Sequence, residues 1–360
     1  MENFKKKYFL GANSCEGFVS KFGDCYRPDG EWRVFIIKGG PGTGKSSFMK
    51  YVAVKAAERG FDPILCPCSS DPQSLDAVIL QKQKIVIMDG TAPHTVDPAY
   101  PGACEKILNF GEFWNDDAFK ADKKAIVEVA DRNHALHAAA SRYMRAVGFL
   151  LADNFKTALA CTDQEKTAAY ADGLCKKYIP KSKGNGVEWQ RFLGGITPLG
   201  VVSYAETLTA SAEKTVIIKD EFGAASNIIM TRIRNYALQN GYEIVTLKNP
   251  FLPSLMTDHI YIPALSLAFV TENAFTHFEA EDSRIHARRF TANSQLHASR
   301  ERMKFNKKAE RELLLAAAGK LAQAKAVHDE LEHYYITAMD FEQVTAFAQR
   351  FTAQLLDSIQ

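Results

Sequence analysis

Hydrophobic residues along this chain fall into short continuous runs that alternate with longer periodic stretches. RVFIIK (Arg33 to Lys38), PILCPC (Pro63 to Cys68) and KIVIMD (Lys84 to Asp89) have the near-unbroken apolar character of strands buried on both faces. Between the first two, the segment opening at Lys45 reads as a helix that stops near Gly60, where glycine suits a left-handed cap. The second half repeats this succession: a strand from Lys214 to Lys219, a helix ending near Gly241, then strands at Glu243 to Lys248 and Leu265 to Thr271. Strands alternating with helices predict an α/β fold, with parallel sheets covered by helices.

The two halves also match in detail. VFIIKGGPGTGKSSFMKYVAVKAAERGF (Val34 to Phe61) overlays TVIIKDEFGAASNIIMTRIRNYALQNGY (Thr215 to Tyr242) without a gap. Upstream, YFLGANSCEGFVS (Tyr8 to Ser20) matches RFLGGITPLGVVS (Arg191 to Ser203), and downstream MDGTAPH (Met88 to His94) falls against TENAFTH (Thr271 to His277). Agreement before, within and after one unit predicts a tandem duplication. The expected domains are residues 1–183 and 184–360, divided at the loop-like PKSKGNG (Pro180 to Gly186). Each copy continues into a helical arm, Lys123 to Tyr178 and Ser283 to Leu356.

The most specific chemistry lies between the first strand and the first helix. Gly39-Gly40-Pro41-Gly42-Thr43-Gly44-Lys45-Ser46 fits the phosphate-loop pattern G-x-x-x-x-G-K-[ST] in its required strand–loop–helix setting. Glycines let backbone N–H groups converge on phosphates, and the helix N-terminus adds unpaired donors and partial positive charge. Lys45 is expected on the β- and γ-phosphates, Ser46 on Mg²⁺ and Ser47 on an α-phosphate oxygen. Asp89, closing an apolar strand, is the expected second Mg²⁺ partner and with Lys45 makes the catalytic pair. Many ATPases follow that aspartate with a glutamate that aligns water; here Gly90 follows. Hydrolysis is then slow, or another residue activates the nucleophile. Asp71, Asp76, His94 and Asp97 stand in neighbouring loops, with turn formation as the plainer account of each.

In the second copy the aligned loop reads Asp220-Glu221-Phe222-Gly223-Ala224-Ala225-Ser226-Asn227. Lysine is replaced by Ser226, and two carboxylates stand where phosphates would arrive. One such contact near 4 Å costs on the order of 4 kcal/mol at an effective dielectric of about 20. The second copy is therefore expected not to bind a nucleotide in this way, and instead to offer the first a partner surface. Arg232, Arg234, Arg284, Arg288 and Arg289 are candidates for an arginine donated to the live site, and Arg142 and Arg145 for a lid. A basic stretch from Arg284 to Lys325 suits a solvated helix face better than nucleic acid, because acids such as Glu301, Glu310 and Glu312 intersperse it. His328 and His333 are too far apart for a shared metal and read as surface or helix-contact residues.

Composition narrows the rest. Lys+Arg 44 against Asp+Glu 42 argues against a general polyanion binder, and 46% apolar with 24% charged residues is ordinary for a globular chain. The odd cysteine count (7), with one close pair at Cys66 and Cys68, fits buried thiols rather than a disulfide framework or zinc site. No targeting segment or run of about 18 apolar residues is visible, so the expectation is a cytoplasmic protein without membrane spans.

With FLGANSCEGFVS, GGPGTGKSS, CSSDPQSLD and MDGTAPHTVDPAYPG, and GGITPLGVVSY and HDELEHYYITAMDF in the second half, the chain resembles a bacterial family of tandem P-loop proteins. Its members are described as ATPases or nucleotide kinases. The resemblance implies ATP and Mg²⁺ as cofactors and names no acceptor. A recognisable second phosphate loop in relatives contrasts with the eroded one here. Three functions are compatible: an Mg²⁺-dependent ATPase acting as a switch or motor, a small-molecule or nucleotide kinase with Asp71 or Asp97 as base, and an ATP-binding module for a protein or nucleic acid.

Overall fold

The computed structural model describes residues 4–28, 30–92, 95–279 and 284–359. It is a mixed α/β protein whose parallel-containing sheets are covered by helices. The chain forms two compact units, one of Met1–Gly11, Ser20–Ala140 and Gly319–Gln360, the other of Ala12–Val19 and Ser141–Ala318.

Gly11–Ser14 (β1) and Gly17–Ser20 (β2) form a short hairpin. The sheet of the first unit follows, from Arg33–Lys38 (β3), Ile64–Pro67 (β4), Leu75–Leu80 (β5), Ile85–Asp89 (β6) and Glu105–Asn109 (β7), in the order β4-β5-β6-β3-β7. Strand β3 runs parallel to β6 and β7, while β5 is antiparallel to both its neighbours. The sheet is thus mixed where the apolar runs predict a parallel one. Short turns on either side of β5 leave no room for a crossover helix, so it pairs antiparallel. Lys45–Glu58 (α1) follows β3 directly and buries Phe48, Met49, Val52 and Ala56 at helical spacing.

Two helices, Lys123–Ala160 (α2) and Gln164–Tyr178 (α3), precede the second sheet. Its leading strand is Val187–Arg191 (β8), after which Gly194–Thr197 (β9) and Gly200–Ser203 (β10) make another hairpin and Glu206–Ser211 (α4) a short helix. The remaining strands are Lys214–Lys219 (β11), Glu243–Lys248 (β12), Thr257–Ile262 (β13), Leu267–Glu272 (β14) and Arg284–His286 (β15), with Ala224–Gln239 (α5) after β11. Their order, β15-β11-β14-β13-β12-β8, repeats that of the first sheet position by position and adds β8 at one edge. Asn293–Ala298 (α6), Arg300–Ile336 (α7) and Phe341–Asp357 (α8) complete the chain.

The cores do not follow the division at residue 183. In the first unit Phe35, Phe48 and Ile87 pack with Val344, Leu355 and Phe351 of α8, and the Phe48 and Phe351 rings meet edge to face at 5.4 Å. In the second, Val216, Ile229 and Phe269 pack with Ala171, Leu174 and Cys175 of α3. The helix on α1 therefore comes from the end of the chain, and the helix on α5 from its first half. The boundaries between units fall inside the β1–β2 hairpin, α2 and α7. Among the described residues all seven cysteines are free, and no helix is long and apolar enough to cross a membrane.

Candidate phosphate-loop site

Strand β3 delivers the chain to the carboxyl edge of the first sheet beside β6, with Ile37 opposite Asp89. Gly42 and Gly44 then take positive φ, 69° and 88°, and Gly44 caps α1 in the left-handed region that side chains disfavour. The first-turn amides of α1, from Lys45 to Ser47, have no intrahelical acceptor and carry the positive end of the helix dipole. Lys45 is buried and folds back over the loop. Its Nζ donates to the carbonyls of Gly39 (3.1 Å) and Gly40 (2.6 Å) and stands 3.6 Å from Asp89 Oδ2. Thr43 Oγ1 also donates to Gly40 (2.8 Å), and Ser46 Oγ accepts from the Leu75 amide (2.9 Å). Pro41 is half-buried and Ser47 exposed.

Asp89 is held by the amide of Thr91 (2.9 Å) and by its hydroxyl. The next residue explains the missing glutamate. A β-carbon at Gly90 would lie 2.4 Å from Ile36 Cγ2 and 2.8 Å from the Val96 carbonyl, so no side chain fits there. Lys38 fixes the following segment by donating to Gly90 O (2.8 Å), Val96 O (2.8 Å) and Asp97 Oδ1 (2.7 Å). Sequence reading passed over Lys38, although a lysine closing the loop-bearing strand is visible there. Asp97 is its ion-pair partner, and His94 lies outside the described residues.

The other acidic candidates separate. Asp71 makes an Asx turn, accepting from Gln73 N (3.1 Å) and Ser74 Oγ (2.8 Å), and stands 3.6 Å from Lys325 Nζ. Asp76 is buried on β5 beside Cys68, whose thiol is pushed well above its usual pKa by burial and by that carboxylate.

Within the same unit the C-terminal turns of α7 rest on the loop. A β-carbon at Gly40 would lie 2.3 Å from Tyr335 Cε1, and one at Gly42 2.9 Å from the Glu332 carbonyl. The Tyr335 ring also packs on Phe119 (5.1 Å) and Trp114 (6.0 Å). His328 stands 3.4 Å from Glu332 and, with Lys325, holds that carboxyl below its ordinary range. Sequence reading placed His328 on a surface or helix contact and had no signal for Tyr335, since the residues that meet there are nearly the length of the chain apart.

In the second unit Asp220 occupies the corresponding loop, between β11 and α5. One carboxylate oxygen accepts from the amides of Phe222 (3.2 Å) and Gly223 (3.1 Å), the other from Ser226 N (2.9 Å). The side chain thus takes the backbone donors that a phosphate takes in a working loop. Burial pushes its pKa up, and those amides partly offset the shift. Glu221 departs from the expectation of two carboxylates on the loop donors: it forms an ion pair with Lys307 instead. The arginine candidates have local roles in this unit. Arg232 faces Asp172 (3.8 Å), Arg234 clasps Glu188, Arg284 pairs with Glu272 and Arg289 lies over Tyr170. Arg288 is exposed, as are Arg142 and Arg145 on the portion of α2 in this unit.

Ser46 and Asp89 offer hard oxygen ligands of the kind Mg²⁺ accepts while keeping water and phosphate in its shell. Among the described residues no cluster of three or more His, Cys, Asp or Glu could hold a metal without such help. No family model, curated protein or solved structure matches the chain.

Proposed function

We propose that the chain is an ATP-binding, Mg²⁺-dependent P-loop ATPase with one working and one degenerate nucleotide site, acting as a slow switch. The observation that carries this reading is the junction of β3, the Gly39–Ser47 loop and α1, with Lys45 3.6 Å from Asp89. On nucleotide binding Lys45 exchanges the carbonyls of Gly39 and Gly40 for β- and γ-phosphate oxygens, and the loop amides receive the others. Ser46 and Asp89 would hold Mg²⁺, which offsets charge on those oxygens. The residues act by positioning and electrostatics, as phosphoryl transfer requires.

Gly90 supports the slow rate, since the place of a water-aligning glutamate admits no side chain. Tyr335 and Glu332 support the switch, because changes in the loop reach α7 through direct contact. The resemblance to tandem P-loop proteins agrees with this reading. A kinase is less well supported: Asp71 is engaged in its turn and with Lys325, and Asp97 is paired with Lys38. The basic stretch gives nucleic acid little support, since Arg302 pairs with Asp153 (3.3 Å) and Lys307 with Glu221.

The test is equilibrium binding of ATP with Mg²⁺, followed by phosphate release without an acceptor, in wild type and Lys45→Ala. Trp114 fluorescence should report binding through Tyr335. Binding that is absent in wild type, or equal in the variant, would defeat the assignment.

A further inference from the structure

The unit with the degenerate loop contains a second site of a different character. At the carboxyl edge of its sheet lies a cavity of about 380 Å³, a volume that suits a small organic molecule. Segments following three strands line it: Phe222 after β11, Leu252 after β12 and Phe275 after β14. This is where open α/β sheets place their ligands. One wall is a single face of α7, along which Lys307, Glu310, Leu314 and Ala318 recur at helical spacing.

Most of the surface is apolar; of its charged groups Arg311 is exposed, while Glu310 is buried. Asn154 accepts from Asn306 (3.0 Å), and Asn249 donates to Asp258 (3.0 Å) while accepting from the amides of Phe251 and Leu252 (2.9 Å each). Lys307 is paired with Glu221. Glu310 is 8% exposed; the charges acting on its carboxyl are those of Lys307 and Glu221, and no side-chain hydrogen bond to it is formed among the described residues. Burial and the Glu221 charge push its pKa up to about 7, against the pull of Lys307. A largely buried carboxyl without a hydrogen-bond partner gains from a ligand that donates one.

We propose that this cavity binds a compact organic amine, its aliphatic or aromatic body among Leu151, Leu252, Phe275 and Leu314 and its ammonium on Glu310. The loop amides are not open to a phosphate, because Asp220 already occupies them, and Lys307 is paired with Glu221.

The experiment titrates the full chain at about pH 8, where Glu310 is ionised, with phenylbutylamine, phenylbutanol and phenylbutyrate. The amine should bind roughly tenfold or more tightly than either the alcohol or the carboxylate, as expected for one charge-assisted hydrogen bond. Glu310→Gln should remove the preference for the amine, and Leu314→Trp should block all three. Lys45→Ala should change none of them, which separates this site from the nucleotide reading. No saturable amine binding, equal binding of amine and alcohol, or an amine preference that survives Glu310→Gln would overturn the proposal.

Discussion

The ring of Tyr335 lies against the α-carbon of Gly40, so that a methyl group on Gly40 would come within 2.3 Å of Cε1. The loop glycine therefore serves packing on α7 as well as the approach of phosphate. Gly40→Ala should lower stability by about 1–3 kcal/mol through overpacking. Adding Tyr335→Ala should recover much of that loss, so the pair is non-additive in a double-mutant cycle. Urea melts of the four proteins check it; strict additivity would show that the contact is not made.

Lys45 and Asp220 stand at equivalent ends of their units and should separate function from stability. Lys45→Ala should weaken ATP at least roughly tenfold, since its charge-assisted bonds to phosphate are lost. Asp220→Ala should leave ATP affinity within a factor of about two, yet destabilise by about 2–3 kcal/mol because three buried amides lose their acceptor. Nucleotide titration and thermal melts of both variants distinguish the outcomes. Loss of ATP binding on removal of Asp220 would contradict the assignment of the live site.

At Gly90 the expectation is opposite to a sequence-guided repair. Gly90→Glu restores the residue common after the Mg²⁺ aspartate, but Ile36 and the Val96 carbonyl occupy its path. The variant should hydrolyse ATP no faster than wild type and melt lower, by an overpacking cost of about 1–3 kcal/mol or more. Faster turnover with unchanged stability would show that the side chain finds room.

Asp258 gives a pH dependence of known sign. Burial, reinforced by Asp220, lifts its pKa from 3.8 to about 7, while Asn249 and Lys248 pull the other way. The folded protein then holds a proton that the unfolded chain releases. Its contribution is complete below about pH 4 and lost as pH rises toward about 7. Neighbouring His259, taken down to about 3 by burial, acts oppositely, with stability lost as pH falls below about 6.5. Asp258→Asn removes only the first effect. Relative to wild type it should gain stability between about pH 4 and about pH 7, by on the order of 2–4 kcal/mol. Urea midpoints across that range test it, and a constant difference between the two proteins would refute it.

The parts of the molecule legible in the sequence are those whose cause is local. The Arg33–Lys38 strand, the glycine loop and the Gly60 stop are dictated by residues within a few positions of one another. Strand β5 was obscured because turn-forming residues in CSSDPQSLD run directly into LDAVIL, whose apolar positions complete a central strand. Asp220 read as a repulsive charge because sequence gives its sign but not its seat among three amides. The face of α1 showed that something must cover it, but any amphipathic helix would satisfy the pattern; Phe347 and Phe351 of α8 do so. Tyr335 on Gly40 is a tertiary coincidence with no local marker.

The crossed assignment of α3 and α8 makes the two halves of the sequence inseparable. A cut between residues 183 and 184 would sever no strand or helix, yet the N-terminal fragment would lack Val344, Phe351 and Leu355, and the C-terminal one Ala171, Leu174 and Cys175. Each fragment would leave uncovered what the other carries away. Two halves joined in this manner must fold as one chain, each roofing a core that the other half begins.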